Sequence, residues 1–241
     1  MSLAKFRASH HFCQLSHFHH RQLAALMSNT NYPINLSAAR LAIRAAAAVL
    51  VLLASLHTLS PEFDPSWRVV SEYANGRYGW VLSLMFASWA VSSWALTAAV
   101  RPQLDRTIGG KIALGLLIAA GVGQAMASVF DINHPLHELA GMIGVLSLPI
   151  AAMWINVRLV RTTIFSGSRR VLLWTANLTW ASLVLLVATL IAMTRWHSRI
   201  HLVGWANRFM VVIDCVWVIA VAGQARPCPT CLKLRLLLAR P

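Results

Sequence analysis

Residues Ile112–Phe130 read IALGLLIAAGVGQAMASVF, nineteen residues without a charge. At ~1.5 Å per residue such a helix covers about 28 Å, close to the ~30 Å hydrocarbon core of a bilayer. A helix on the surface of a water-soluble domain would need a polar face, and this run has none. Five further runs read the same way: Leu41–Leu59, Gly79–Val100, Leu139–Val157, Val171–Thr194 and Val203–Gly223. The connections between them leave no room for a soluble domain. The sequence therefore predicts an all-α, polytopic membrane helical bundle with six transmembrane helices over residues 41–223.

Composition agrees. Of 241 residues, 58% are hydrophobic and 12% charged, whereas a soluble domain carries about 25% charged residues. The net charge of +14 would suggest nucleic acid in a soluble protein. Here the basic residues fall between apolar runs, so they read as topology and no nucleic-acid partner is expected. The segments before span one, between spans two and three, between four and five, and after span six hold fifteen Lys and Arg; the other side holds four. The basic side is predicted cytoplasmic, with both termini there and the chain in the cell inner (plasma) membrane.

Residues 1–40 read as a basic, His-rich cytoplasmic arm without regular structure, and 224–241 as a basic cytoplasmic tail. The arm lacks the apolar stretch of a signal peptide. Met27 offers a second start, which would make 1–26 an upstream extension. The tail carries Cys228-Pro-Thr-Cys231, without the second CxxC of a zinc ribbon or the following His of a haem attachment site. No cysteine falls in a predicted outer loop, so no disulfide framework is expected.

Within the spans, Ala119, Gly123 and Ala127 form a small-residue stripe that admits a neighbouring backbone. Gly141 and Gly144 do the same in span four, and Pro149 removes one of its backbone hydrogen bonds. Trp80, Trp174, Trp196 and Trp205 sit near predicted interfaces as aromatic anchors.

The outer side carries the chemistry. Outside the arm, all five histidines lie there: His57, His134, His137, His197 and His201. So do five of the seven acids: Glu62, Asp64, Glu72, Asp131 and Glu138. The loop from Ser60 to Trp80 has three acids and several aromatics, and reads as an ordered cap with Ser71-Glu72-Tyr73 folded toward the polar cluster. Arg208, near the outer end of span six, is expected to meet Glu72, Asp131 or Glu138, because buried membrane charges are usually paired. Asp214 lies deeper in that span and is expected to meet Arg44, Gln124 or Asn177, or to be protonated.

Three readings of this cluster are open. In the first, Glu72, Tyr73, Asp131, His137 and Arg208 line an outward-facing pocket that binds, transports or senses a small polar ligand or lipid headgroup. In the second, His134, His137, His197 and His201 hold Zn2+ for a membrane-embedded hydrolase, with Asp131 or Glu138 as base. The i, i+3 and i, i+4 spacings could each present two imidazoles on one helix face. In the third, the network only staples helix ends.

The order of short motifs resembles a multi-pass bacterial membrane family known as domain of unknown function 998. The resemblance is carried by Ser60-Pro-Glu-Phe-Asp-Pro65, Ser71-Glu-Tyr-Ala-Asn-Gly76, Gly79-Trp80, Phe130-Asp131, His137 with Gly141, and Gly204-Trp-Ala-Asn-Arg208. It covers roughly Leu41 to Gly223 and implies a six-helix bundle without an assigned activity. It also marks Glu72, Asp131, His137 and Arg208 as parts of the shared pattern; His134, His197 and His201 do not match it. A more distant similarity, in Asp131 and the His197/His201 pair, is to membrane-embedded hydrolases that include alkaline ceramidases; those have seven spans and a different order of histidines.

Overall fold

The computed structural model describes residues 35–105, 107–161, 165, 168–195 and 202–224. Six long helices are present: α1 (Leu36–Leu59), α2 (Gly79–Leu104), α3 (Ile108–Val129), α4 (Leu136–Leu159), α5 (Arg169–Arg195) and α6 (Val203–Gln224). Each is long and apolar enough to cross a membrane. A short 3-10 helix, Val70–Asn75, lies between α1 and α2. No strand occurs among the described residues.

Helix ends fall where caps put them. The Asn35 side chain accepts from the Ala38 N–H at 3.0 Å, so α1 starts five residues before its apolar run. Thr107 accepts from the Gly110 N–H at 3.1 Å and starts α3 at Ile108. Both side chains satisfy donors that a helix start leaves open. Pro135 takes the cap position of α4, where its missing N–H costs nothing; His134 and Asn133 lie just outside.

The helices pack as a closed ring in chain order, with α6 returning to α1 and also touching α2 and α4. Two polar links tie the turns at one end: Arg158 donates to the Thr107 hydroxyl at 2.9 Å, and the Ser168 hydroxyl bonds the Gln224 amide. At the opposite end the Asn133 side chain donates to Asn75 at 2.8 Å, joining the 60–78 and 130–135 loops. That second end is called the capped end below.

Lipid gives no hydrophobic drive for helices to associate, so close packing and internal polar contacts must hold them. Gly123 and Gly144 meet across α3 and α4: a Cβ on Gly123 would overlap the Gly144 backbone and the Ala140 carbonyl. Gly141 faces open space instead. Between α2 and α3, the Gln124 side-chain N–H donates to the Ser93 hydroxyl at 2.8 Å and to the Trp89 carbonyl at 3.1 Å. Asn156 of α4 accepts from the Trp217 indole of α6 at 3.3 Å and donates to the Leu172 carbonyl of α5. These amides find partners within the bundle, as a lipid-surrounded polar group must.

Candidate ligand-binding site

The first turns of α6 organise the capped end. Gly204 packs so tightly against the 60–78 loop that a Cβ there would overlap the carbonyls of Pro65 and Arg68. Its own N–H donates to the Ser66 carbonyl at 3.1 Å. Asn207, one turn on, accepts from the Val70 N–H at 2.8 Å and so caps the 3-10 helix from across the fold. Glu72 reaches back to the Val69 N–H at 3.1 Å. That short helix places Tyr73 inward, only 1% exposed, against the Phe63 ring at 5.3 Å between centroids.

Arg208 is the centre of this arrangement and is 3% exposed. Its Nε–H donates to His57 Nε2 at 2.8 Å. His57 Nδ1 lies 2.7 Å from the Leu53 carbonyl. One ring nitrogen accepts and the other must donate, so these partners require a neutral imidazole protonated on Nδ1. Arg208 Nη1 donates to the carbonyls of Arg68 at 2.6 Å, Gly204 at 3.0 Å and, more weakly, Pro65 at 3.4 Å. Nη2 donates to the Tyr73 hydroxyl at 3.0 Å.

A guanidinium has five N–H groups. Nε–H and both Nη1–H are engaged, and one Nη2–H has no acceptor among the described residues. The Tyr73 hydroxyl accepts from Arg208, and its own proton has no acceptor among the described residues. Among the described residues, every group that accepts from the cation is formally neutral. The ion pairs among the described residues are Arg68–Glu72 and Arg101–Asp105, and Arg208 is in neither. A cation out of water with no counter-charge costs several kcal/mol even when hydrogen-bonded.

Beside this node runs a groove between α1 and α6, about 410 Å³ in volume, lined by Leu50, Leu53, Ala54, His57, Trp205, Arg208 and Val212. The groove is shallow and open rather than enclosed. His57 and Arg208 lie at its capped end; Leu50 and Val212 are its deep end. Trp205 stacks on His57 with centroids 6.4 Å apart and is 51% exposed at the rim.

A family model described as "Protein of unknown function (DUF998)" matches residues 43–224. The chain belongs to the DUF998 family. No curated protein and no solved structure matches it.

In this DUF998 protein the residues singled out in the sequence divide into two groups. Tyr73 and Arg208 are brought together. Glu72 directly precedes Tyr73, but its carboxylate is taken by Arg68 and the Val69 N–H. Asp131 accepts from the Asn133 N–H at 2.9 Å and shapes its own exposed loop. Glu138 is exposed in the first turn of α4. The expected pairing of Arg208 with Glu72, Asp131 or Glu138 is therefore not what forms. Loop carbonyls, Tyr73 and His57 take the carboxylate's place.

His137 Nδ1 lies 2.8 Å from the Phe130 carbonyl. His134 stacks on the Phe130 ring at 4.5 Å and its Nδ1 accepts from the Leu136 N–H at 3.2 Å. Both rings thus close the turn between α3 and α4. Among the described residues no three His, Cys, Asp or Glu side chains converge as a metal site would need. His197, His201 and the Cys228/Cys231 pair lie outside the described residues, as do the 1–34 arm and the 225–241 tail. Asp214 is 1% exposed and its Oδ1 has no hydrogen-bond partner. Gln124, one partner expected for it, is engaged with Ser93.

Sequence reading assigned His57 no role. The available signal was its position at the end of a span, one turn beyond Leu53 on the same face.

Proposed function

We propose that this DUF998 protein is a binding protein of the bilayer that takes an anionic small ligand or lipid headgroup at the Arg208–Tyr73 node. It sits in the plasma membrane with its basic turns toward the cytoplasm and the capped end outward, as its arginine and lysine distribution supports. The observation that carries the reading is a buried guanidinium that no carboxylate pairs among the described residues, lining a groove. An anion in the groove would supply the missing charge to Arg208, the cationic residue of its lining. Charge-assisted hydrogen bonds are about twice as strong as neutral ones.

Thermal unfolding of purified protein in a neutral detergent tests the reading. Inorganic phosphate, glycerol 3-phosphate and phosphatidylglycerol are added in turn. At least one anion raises the unfolding temperature, since a ligand of the folded state stabilises it by mass action. Tyr73→Phe, which removes the acceptor that holds Arg208 Nη2, weakens that shift by loosening the guanidinium. No shift with any of the three anions would contradict the reading. A purely stapling network gives that result.

A further inference from the structure

The groove says how the anion arrives and what else is attached to it. We infer that the occupant is a membrane lipid with a net-anionic phosphodiester head, entering sideways from the bilayer, with one acyl chain lying between α1 and α6. The inference rests on the binding reading above and narrows it to one ligand class.

Three observations point this way. The first is the wall. Below His57 and Arg208 the groove is lined by Leu50, Leu53, Ala54 and Val212, all apolar. A small polar ligand gains nothing from them, whereas an acyl chain does not have to leave an apolar medium to lie there. From His57 to Leu50 is seven residues, about 10 Å of helix, so the wall follows the upper part of one chain.

The second is access. From the loop side, Arg208 is covered by the carbonyls of Pro65 and Arg68 and by the buried Tyr73. From the flank it borders a groove whose rim residues are open: Trp205 is 51% and Val212 36% exposed. Both belong to a helix with the length and apolarity of a membrane span, so the medium at that mouth is lipid.

The third is charge and depth. Arg208 is the sixth residue of α6 and His57 is two residues from the end of α1. At ~1.5 Å per residue the Arg208 Cα lies about 8 Å inside the helix start, and its guanidinium reaches back to the Gly204 carbonyl, where a headgroup phosphate can reach it. His57 accepts from Arg208 and adds no positive charge. The site therefore offers one cation, matched to a phosphodiester's single negative charge.

The test compares four additives by thermal unfolding and by native mass spectrometry of lipid adducts: phosphatidylglycerol, phosphatidylcholine, glycerol 3-phosphate and inorganic phosphate. Because Arg208 also holds the loop, a variant there can fail to fold. Ala54→Trp fills the groove from an exposed wall position without touching the node. The inference expects stabilisation by phosphatidylglycerol at least five-fold more potent than by phosphatidylcholine, little effect of the two water-soluble anions, and loss of the preference in a folded Ala54→Trp protein. Val212→Trp, from the opposite wall, should behave alike. Equal potency of phosphatidylcholine would overturn it, as would a phosphatidylglycerol preference that survives in both filled variants. If glycerol 3-phosphate or phosphate matches phosphatidylglycerol and Ala54→Trp changes nothing, the lipid inference fails and the anion-binding reading stands. If none of the anions binds, both fail.

Discussion

Arg208 donates through Nη2 to the Tyr73 hydroxyl at 3.0 Å, and this bond joins a transmembrane helix to the loop that covers it. The same guanidinium holds the Arg68 and Gly204 carbonyls. One side chain thus fixes the 60–78 loop and presents a charge to the groove. Those two roles explain why a costly buried cation occupies this place, and they make the surrounding positions sensitive in different ways.

Gly204 is the tightest point. Its missing Cβ is what lets the Pro65 and Arg68 carbonyls approach α6, and both accept from Arg208. Gly204→Ala is expected to push the loop away and cost about 1–3 kcal/mol, the usual range for overpacking. Limited proteolysis should then cut within residues 60–78 faster than in the wild type. An unchanged rate and an unchanged unfolding temperature would contradict the packing described.

Asn207 acts at a distance in sequence. Its carbonyl oxygen serves the Val70 N–H, a donor at the start of the 3-10 helix. Asn207→Ala leaves that N–H without its cap and should cost about 1 kcal/mol. Asn207→Asp keeps an acceptor and should lose less. Chemical denaturation in mixed micelles separates the two; equal losses would show that the cap is unimportant.

The spans were legible because lipid leaves a backbone few choices. Every N–H and C=O must be satisfied inside the segment, so a long uncharged run can only be a helix. The boundaries moved where caps act: Asn35 extends α1 back to Leu36, and Thr107 starts α3 ahead of Lys111. The site was legible in part. Arg208 and Tyr73 stood out as a buried charge and an aromatic in a motif-rich loop. Their partners did not, because backbone carbonyls leave no mark in a sequence. Electrostatics suggested a carboxylate for Arg208, yet Glu72 has an arginine four residues away in its own loop and bonds locally. Asp131 similarly closes a turn two residues long.

Away from the site, Gly123 sets the distance between α3 and α4. Gly123→Val would drive a branched side chain into the Gly144 backbone and the Ala140 carbonyl. A loss of about 2 kcal/mol or more is expected, read as a lowered unfolding temperature in detergent. Gly141→Ala, at the sixth residue of α4 and facing open space, should be nearly silent. Comparable losses for both would refute the assigned contact.

The central claim is that an uncompensated Arg208 faces an anion in the groove between α1 and α6. An experimental map of the protein in nanodiscs containing phosphatidylglycerol tests it most directly. The account predicts headgroup density against the Arg208 guanidinium, continued by chain density along Leu53 and Val212. A map in which Glu72 or Asp131 swings onto Arg208, or in which α1 and α6 close over an empty seam, would contradict it.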